Sequence, residues 1–268
     1  MLRYFLAGMA LAASLALPAA AAAGTVVVPR GQNVEIAVAL DRSTGVGAPL
    51  TPTNVNAIQL ATQLIPTIRG FRVQLDPYDA PCGGDEAVAQ DAAVAQSVVA
   101  NPQTVAVIGH ECSYAFSGGA VLDQNGVCQT PTTPNALAIY EAAEIPTING
   151  STTSPCLPAD GPTVFDRTVV DDTGFDAWYA GVQILPSDRL WTAIYTLVFG
   201  APPTEFADLY FDATTLLLAR IDQVSHLSKG KLVIDRVALA QAIRQTTGFP
   251  GVTGSITLDP TTGNRATG

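Results

Sequence analysis

The alternation of short apolar strands with helical segments across residues 34–157 most constrains what this chain can fold into. Four runs rich in β-branched or aromatic residues predict strands, at residues 34–40, 71–75, 104–108 and 145–148. Segments with helical spacing separate them, at residues 54–64, 85–100 and 135–143, and Asp85 is the predicted cap of the second. Because parallel strands need crossover connections, the sequence predicts a doubly wound α/β domain with a parallel sheet.

The second half of the chain is predicted to be mainly helical. Residues 162–190 are poorly periodic, and residues 118–135 are a turn-rich polar loop. Helices are predicted at residues 190–199, 205–227 and 235–244, with Asp235 as the cap of the last. A strand follows at residues 252–258, and the tail to Gly268 is expected to fray.

The first 23 residues are typical of a secretory signal peptide. Arg3 supplies a positive start, an apolar stretch follows, and a run of alanines ends at Ala23. A membrane anchor is the alternative, but the apolar stretch is shorter than the roughly 20 residues that a span needs. No later segment is long and apolar enough to cross a bilayer, so we expect a periplasmic or extracellular protein without a membrane span after cleavage.

Charge and motifs exclude several classes of function. The formal net charge of -10 and the pI near 4.4 argue against nucleic acid or an anionic membrane as partner. The sequence has no metal-ligand set, no phosphate-binding glycine loop and no Ser-His-Asp pattern, so we expect no cofactor, no metal and no enzyme activity. Two weaker alternatives are a Cys–His site at His110 and Cys112, and a carboxylate pair at Asp171 and Asp172, for which a solvated turn is the simpler interpretation.

All four cysteines follow the signal peptide: Cys82, Cys112, Cys128 and Cys156. An even number in an exported protein indicates disulfides. Four cysteines allow three pairings, and the residues alone leave these open.

Polar loops follow the four predicted strands. They start at Asp41, Asp76, Gly109 and Asn149, and all are rich in Gly, Ser, Thr or Asp. Ligands of open parallel sheets bind beyond the carboxyl ends of the strands, where backbone N–H groups and hydroxyls can hold a small carboxylate.

Several of these loops carry a family resemblance. The stretches D-P-Y-D-A-P-C, V-I-G-H-E-C-S and I-N-G-S-T-T-S-P end at Cys82, Ser113 and Pro155. Y-F-D-A-T-T-L-L, L-V-I-D-R-V-A-L and F-P-G-V-T-G follow, beginning at Tyr210 and Leu232 and ending at Gly254. In their joint order these stretches resemble the leucine/isoleucine/valine-binding proteins, the type I periplasmic receptors of ABC transporters.

The resemblance implies two disulfides and a ligand site. It implies a bond between Cys82 and Cys112, which leaves Cys128 to pair with Cys156. It also implies that the Ser113 hydroxyl and the Thr153 hydroxyl and N–H hold the carboxylate of an amino acid. The Ser151 carbonyl would accept from the ammonium, and Thr152 lies between them in the same binding loop. For Ser113 and Thr153, helix capping or turn formation is the competing interpretation.

The chain departs from the family where a second lobe is expected. Family members insert lobe II after the position of Thr168, but only about 20 residues precede the next matching block. We therefore expect lobe I alone, in segments 24–168 and 190–268, with 169–189 as a remnant linker. The expected function is a small-ligand receptor that works with an ABC permease and binds weakly. The alternative is a non-transporting interaction or sensor module that uses its exposed crevice face, for example as a homodimer.

Overall fold

The structure is a computed structural model that describes residues 24–43, 47–129, 134–157 and 164–267. The predicted signal peptide lies outside these residues. The strands are β1 (Thr25–Val28), β2 (Val34–Leu40), β3 (Thr67–Ile68), β4 (Phe71–Asp79), β5 (Thr104–Gly109), β6 (Thr147–Asn149), β7 (Phe165–Arg167), β8 (His226–Ser228), β9 (Lys231–Asp235), β10 (Phe249–Gly251) and β11 (Gly254–Ile256). The helices are α1 (Thr51–Leu64), α2 (Asp85–Val99), α3 (Ser113–Phe116), α4 (Ala136–Ala142), α5 (Phe175–Val182), α6 (Pro186–Phe199), α7 (Ala207–Val224) and α8 (Arg236–Arg244).

The main sheet has six strands in the order β3-β4-β2-β5-β6-β7. Every pair in it is parallel except the short edge pair of β3 and β4. The predicted doubly wound α/β fold is therefore confirmed. Among the described helices, none has both the length and the hydropathy that a membrane span requires.

Helices cover both faces of the main sheet, and β2 lies at its centre. Ile36 and Val38 of β2 enter the larger apolar core, which also receives side chains of α1 and α7. Ala37 and Ala39 enter the second core, with side chains of α2 and α4. Because both faces of β2 are buried, its sequence is a continuous apolar run rather than an alternating one.

One of the two predicted caps is correct: the Asp235 Oδ1 atom accepts a hydrogen bond from Ala238 N (3.0 Å). The Asn135 Oδ1 atom accepts one from Ala138 N (2.9 Å), which is a cap of α4 that the sequence patterns did not predict. Asp85 is wrong as a cap, because it is the first helical residue of α2 and Gly84 occupies the cap position. An acidic residue in the first turn still interacts favourably with the positive end of the helix dipole.

The strand predicted at residues 252–258 is confirmed only over Gly254–Ile256, which is β11. Residues 252–253 are instead the turn of an antiparallel hairpin that β11 forms with β10. The buried Asp212 of α7 fixes this turn, since its carboxylate accepts from Val252 N (2.8 Å) and Thr253 N (3.0 Å). A contact from a distant helix thus overrides the local strand pattern.

The helix predicted at residues 205–227 is observed as α7, which is shorter and spans Ala207–Val224. The chain then forms the β8–β9 hairpin, and β9 also pairs with β1, so the three make a small antiparallel sheet. Sequence patterns missed this sheet because its strands are only three to five residues long. The tail is not frayed: Arg265 is buried and donates to the carbonyl oxygens of Thr168 and Thr253.

The weakly periodic segment 162–190 contains two elements that its pattern did not predict, β7 and α5. Phe175, Tyr179 and Val182 of α5 pack in a small apolar cluster with Leu209 at the start of α7. The cluster fixes this segment against the loops that follow β7.

Candidate functional site

The loops that follow β5 and β6 meet at the carboxyl edge of the main sheet. The Ser113 Oγ atom accepts a hydrogen bond from Ser154 N (3.2 Å). The Ser151 hydroxyl donates to the backbone oxygen of Glu111 (2.8 Å). We call the surface formed by residues 110–113 and 149–155 the strand-end crevice. Ser113, in the loop after β5, therefore lies beside the loop after β6 that contains Ser151, Thr152 and Thr153.

Asn149 shapes the second of these loops. Its Oδ1 atom accepts from the backbone N–H groups of Ser151 (2.8 Å) and Thr152 (2.9 Å), and its amide donates to the His110 carbonyl. Sequence analysis did not single out this residue. The available signal was an Asn followed by Gly at the end of a strand, which is typical of a side chain that closes a turn onto its own backbone.

Gly150 permits the same loop to approach α7. A Cβ atom at this position would lie 2.9 Å from Tyr210 N and 3.0 Å from Tyr210 Cγ, so a larger residue would push the loop away. The close approach brings the Tyr210 hydroxyl to 2.8 Å from Ser151 Oγ. Tyr210 is buried, and that burial raises the pKa of its hydroxyl well above its usual value. It therefore stays neutral and acts as a hydrogen-bonding group.

Arg167, at the end of β7, stabilises the loop that follows β6. Its Nη1 atom donates to the carbonyl oxygens of Thr152 (2.7 Å) and Ser154 (3.0 Å), and its Nε atom donates to Asn264 (2.9 Å). The side chain is fully buried, and burial lowers the pKa of the guanidinium to about 10, so it remains charged at neutral pH. The sequence patterns gave Arg167 no role in the site.

Glu111 braces the crevice on its other side. Its carboxylate accepts from Thr51 Oγ1 (2.6 Å), Asn54 Nδ2 (2.6 Å) and Asp41 N (3.1 Å), which ties the loop after β5 to the start of α1. Burial raises the pKa of Glu111, and the three donated hydrogen bonds oppose that shift. With both carboxylate oxygens occupied by the protein, Glu111 supports the site rather than reaching for a ligand.

Several groups in the crevice keep free hydrogen-bonding capacity within the described part of the chain. The Thr153 N–H and hydroxyl have no partner there, and the same holds for the Ser113 hydroxyl hydrogen and the Ser151 carbonyl oxygen. Thr153 and Ser113 are half-buried, so a small molecule can reach them. Thr152 is fully buried, and its backbone N–H and carbonyl already bind Asn149 and Arg167, so it supports the loop.

Two disulfides fix the loops around the crevice. Cys82, in the loop between β4 and α2, bonds to Cys112, and Cys128 bonds to Cys156. These are the two bonds that the family resemblance implies. Because Cys112 is in a disulfide, it cannot act as the thiol of a Cys–His site. His110 is buried, with its Nδ1 atom 2.8 Å from Asp91 Oδ2 and its Nε2 atom 2.9 Å from the Tyr140 hydroxyl.

Asp171 lies in a solvated turn. Its Oδ1 atom accepts from Thr173 N (3.1 Å) and from the Thr173 hydroxyl. The backbone N–H of Asp172 donates to the Thr153 carbonyl oxygen (2.8 Å), which places this turn beside the crevice. The arrangement is that of a turn rather than of a paired-carboxylate centre.

A second concavity lies between α5, α6 and the start of α7, with a volume of about 320 Å³. Asp188 and Asp208 line it, and the Tyr179 hydroxyl donates to Asp208 (3.0 Å). Burial, and then the neighbouring Asp188, raise the pKa of Asp208. The pair therefore retains a proton well above the pH at which an exposed aspartate loses it.

Comparison with solved structures identifies the architecture. A leucine-binding protein, LivK, from Thermotoga maritima superposes with a TM-score of 0.65 at 15% identity, over 87% of this chain and 93% of that one. An ABC transporter substrate-binding protein from Desulfitobacterium hafniense in complex with leucine gives a TM-score of 0.66 at 16% identity, over 87% and 95%. This chain has the type I periplasmic binding protein fold.

The same periplasmic binding protein fold occurs in a solute-binding protein of an ABC transporter from Rhodopseudomonas palustris, in complex with 3,4-dihydroxybenzoic acid. That structure gives a TM-score of 0.63 at 12% identity, over 87% of this chain and 90% of that one. The sequence matches no protein-family model and no curated protein. The likeness therefore rests on three-dimensional structure.

Proposed function

We propose that this protein is an extracytoplasmic substrate-binding protein of the branched-chain amino acid ABC transporter type. Its strand-end crevice binds a small amino-acid-like ligand. One observation carries the proposal: unpartnered donors and an unpartnered acceptor converge in a loop that Asn149 and Arg167 hold in place. Groups that are fixed before binding lose little entropy when a ligand arrives.

The chemistry of these groups fits a zwitterion. The Thr153 N–H and hydroxyl and the Ser113 hydroxyl are neutral donors suited to a carboxylate. The Ser151 carbonyl oxygen suits an ammonium. Hydrogen bonds to a charged group are stronger than neutral ones, so a few neutral donors can hold a carboxylate in a partly dry crevice without a buried counter-ion.

Leucine and 3,4-dihydroxybenzoic acid, the ligands of two structural neighbours, are both carboxylic acids. The group that they share is the one that Thr153 and Ser113 are suited to bind. We therefore propose the carboxylate as the common feature of the ligands, and a titration series decides which side chain is preferred.

Residues 169–189 take the place of a second lobe in this proposal. In support, the segment contains little more than α5, which packs on the Leu209 cluster. An isolated lobe would cover less of a ligand than the 70–90% that pockets usually bury, so we expect affinity weaker than micromolar. The two disulfides and the N-terminal sequence support an extracytoplasmic location. The permease is the proposed partner.

Titration of the 15N-labelled protein with L-leucine, L-valine and 3,4-dihydroxybenzoic acid tests this function by NMR. We expect the Thr153 amide to shift most, with dissociation constants in the millimolar range. Ser113→Ala with Thr153→Val should weaken binding about tenfold or more, because each lost hydrogen bond to a charged group is worth roughly 1.5–3 kcal/mol. Ser97→Ala, which changes an exposed residue of α2, is the control. Absence of any shift at Thr153 with all three ligands contradicts the proposal.

One observation favours the alternative of an interaction module. Leu190, Ile194, Leu197 and Val198 lie on one side of α6, and they are 45–85% exposed. Exposed apolar stripes of this kind mark partner surfaces. Light scattering after size-exclusion chromatography separates the two functions. A ligand-independent dimer that Ile194→Glu with Leu197→Glu converts to monomer favours the alternative, and a monomer favours the receptor.

A further inference from the structure

A second pocket, at the opposite edge of the main sheet, is lined by basic residues. It lies at the amino ends of β2 and β4, has a volume of about 480 Å³, and is lined by Arg30, Arg69 and Arg72. None of its lining residues is acidic. Lys229 and Lys231 flank the lining residue Gly230. Three of the thirteen Lys and Arg residues of a chain with net charge -10 thus line one cavity, and two more adjoin one of its lining residues in the sequence.

Three turns build this pocket, and each has a basic residue followed by glycine. Arg30-Gly31 is closed by a hydrogen bond from Gln32 N to Pro29 O (3.0 Å). Arg69-Gly70 joins β3 to β4, and Lys229-Gly230 joins β8 to β9. These are the only three basic–glycine pairs in the sequence, and they come from positions about 40 and 160 residues apart. The fold brings all three together.

In each of the two hairpin turns, a basic residue adopts a positive φ, which is unfavourable for a residue with a long side chain. Arg69 has φ 48° and Lys229 has φ 49°, and the glycine after each also has positive φ. Two-residue hairpins with this geometry favour Asn or Asp at the first position, because those side chains tolerate the left-handed region better than long ones. Basic residues at both turns therefore indicate a role beyond turn formation.

Two of the arginines are available to a ligand. Arg69 already donates to the Asp222 carbonyl oxygen (2.7 Å) and to Ser225 Oγ (3.1 Å). Arg30 and Arg72 have no ion pair or hydrogen bond from their guanidinium groups within the described ranges of the chain, and both are exposed. Paired guanidinium groups match the geometry of phosphate oxygens, which accept two parallel hydrogen bonds.

The pocket also has an apolar wall. Phe71 lines its base, and Leu227 is an exposed leucine at its rim. A volume of several hundred cubic ångströms is in the range of small-molecule sites. Because the whole chain is strongly acidic, an extended anionic surface would be repelled, whereas a compact anion that enters the concavity meets mainly the arginines.

We propose that this basic pocket binds a compact organic phosphate, with the phosphate group held by Arg30 and Arg72 and the apolar part against Phe71 and Leu227. The site lies at the edge of the sheet opposite to the strand-end crevice. Since β2 has seven residues, the two sites are separated by about 20 Å at roughly 3.3 Å per residue. We therefore expect phosphate to bind without changing the affinity for an amino acid.

Calorimetry on the full exported protein at low ionic strength tests the proposal with inorganic phosphate and phenyl phosphate. We expect both to bind, phenyl phosphate more tightly, and Arg30→Gln with Arg72→Gln to weaken binding at least tenfold. Arg42→Gln with Arg189→Gln removes the same charge from exposed positions elsewhere and should leave affinity unchanged. Equal weakening by both double variants, or no binding of either phosphate, overturns the proposal.

Two further measurements distinguish the source of the anion and the role of the turns. Vesicles of phosphatidylglycerol in phosphatidylcholine should not bind more tightly than phenyl phosphate, and binding to vesicles alone would overturn the pocket in favour of a surface. Lys229→Asn should raise the thermal midpoint, since Asn suits the turn better, while it weakens phosphate binding two- to fivefold. A rise in the midpoint with undiminished phosphate affinity would remove Lys229 from the site.

Discussion

The two edges of the main sheet differ in the kind of group they offer. At the carboxyl edge, the strand-end crevice offers neutral hydroxyl, amide and carbonyl groups, of which Thr153 is the most available. At the amino edge, the basic pocket offers guanidinium groups on exposed turns. Neutral groups that are fixed in direction suit a zwitterion, because they serve both of its charges. Mobile cations suit a single anion and accept looser geometry.

The edges also differ in how firmly they are built. The Cys82–Cys112 disulfide, Asn149 and the buried Arg167 hold the loops of the crevice. The basic pocket rests on three short turns. The comparison therefore predicts that changes to buried bracing groups disturb the crevice and leave the pocket intact.

Removal of the Cys82–Cys112 disulfide should have the largest effect. The bond closes a separation of 30 residues, and the chain-entropy relation assigns such a loop about 3–4 kcal/mol of unfolding free energy. Urea denaturation of Cys82→Ser with Cys112→Ser should show this loss, together with weaker leucine binding in NMR titrations. Phosphate binding should persist at the temperature where the variant is folded.

Cys128→Ser with Cys156→Ser is the companion variant, because its separation of 28 residues gives nearly the same entropy and its bond also fixes a loop beside the crevice. A comparable loss of phosphate affinity in both disulfide variants would show that the two edges are not independent.

Replacement of Arg167 by Gln should destabilise the protein by about 2–4 kcal/mol, since the carbonyl oxygens of Thr152 and Ser154 would lose their buried donor. The Thr153 amide should also broaden or shift in the ligand-free NMR spectrum. The exposed Arg189→Gln should change the unfolding free energy by less than about 0.5 kcal/mol. An Arg167→Gln protein with unchanged stability and an unchanged Thr153 resonance would contradict the bracing role.

Stability should fall as pH rises above about 4, the ordinary pKa of an aspartate. Burial and Asp188 raise the pKa of Asp208 in the folded state, so the folded protein holds a proton that the unfolded chain has released. The unfolded state then binds fewer protons, and the unfolding free energy declines by up to about 1.4 kcal/mol per pH unit until the folded group ionises. Asp208→Asn should make this decline less steep in urea titrations between pH 4 and pH 8, and the buried Asp166, whose pKa burial raises to about 7, accounts for part of the remaining slope.

Asp176→Asn is the control for that titration, because Asp176 is an exposed residue of the neighbouring α5. An unchanged slope for Asp208→Asn, or an equal change for Asp176→Asn, would refute the buried acid pair as its source.

Salt should have the smallest effect on the crevice and a larger one on the pocket. An increase from 20 to 300 mM NaCl screens the exposed arginines, because the Debye length falls well below 10 Å. Phosphate affinity should drop severalfold, while leucine affinity should change less than twofold. Equal salt dependence for both ligands would mean that charge rather than fixed neutral donors governs the crevice.

Local patterns were sufficient wherever neighbouring residues decide conformation. The run at 34–40, the helices that became α1, α2 and α8, and the cap Asp235 follow from apolar periodicity and from side chains that bond their own backbone. These are interactions within a few residues, so the sequence by itself determined the doubly wound α/β class. The polar loops after the strands were also identified correctly as neighbours, because parallel strands share one carboxyl edge.

Only the tertiary structure decided features that depend on residues far apart in the chain. Asp212 breaks the predicted strand at Val252, Arg167 is buried beneath the loop of Thr153, and three basic–glycine turns meet in one pocket. No local pattern carries such information, because a charged residue beside an apolar run has the same sequence signature whether it is solvated or buried. Whether such a residue is buried depends on a hydrogen-bonding partner, and the packing of distant parts of the chain decides which partner it meets.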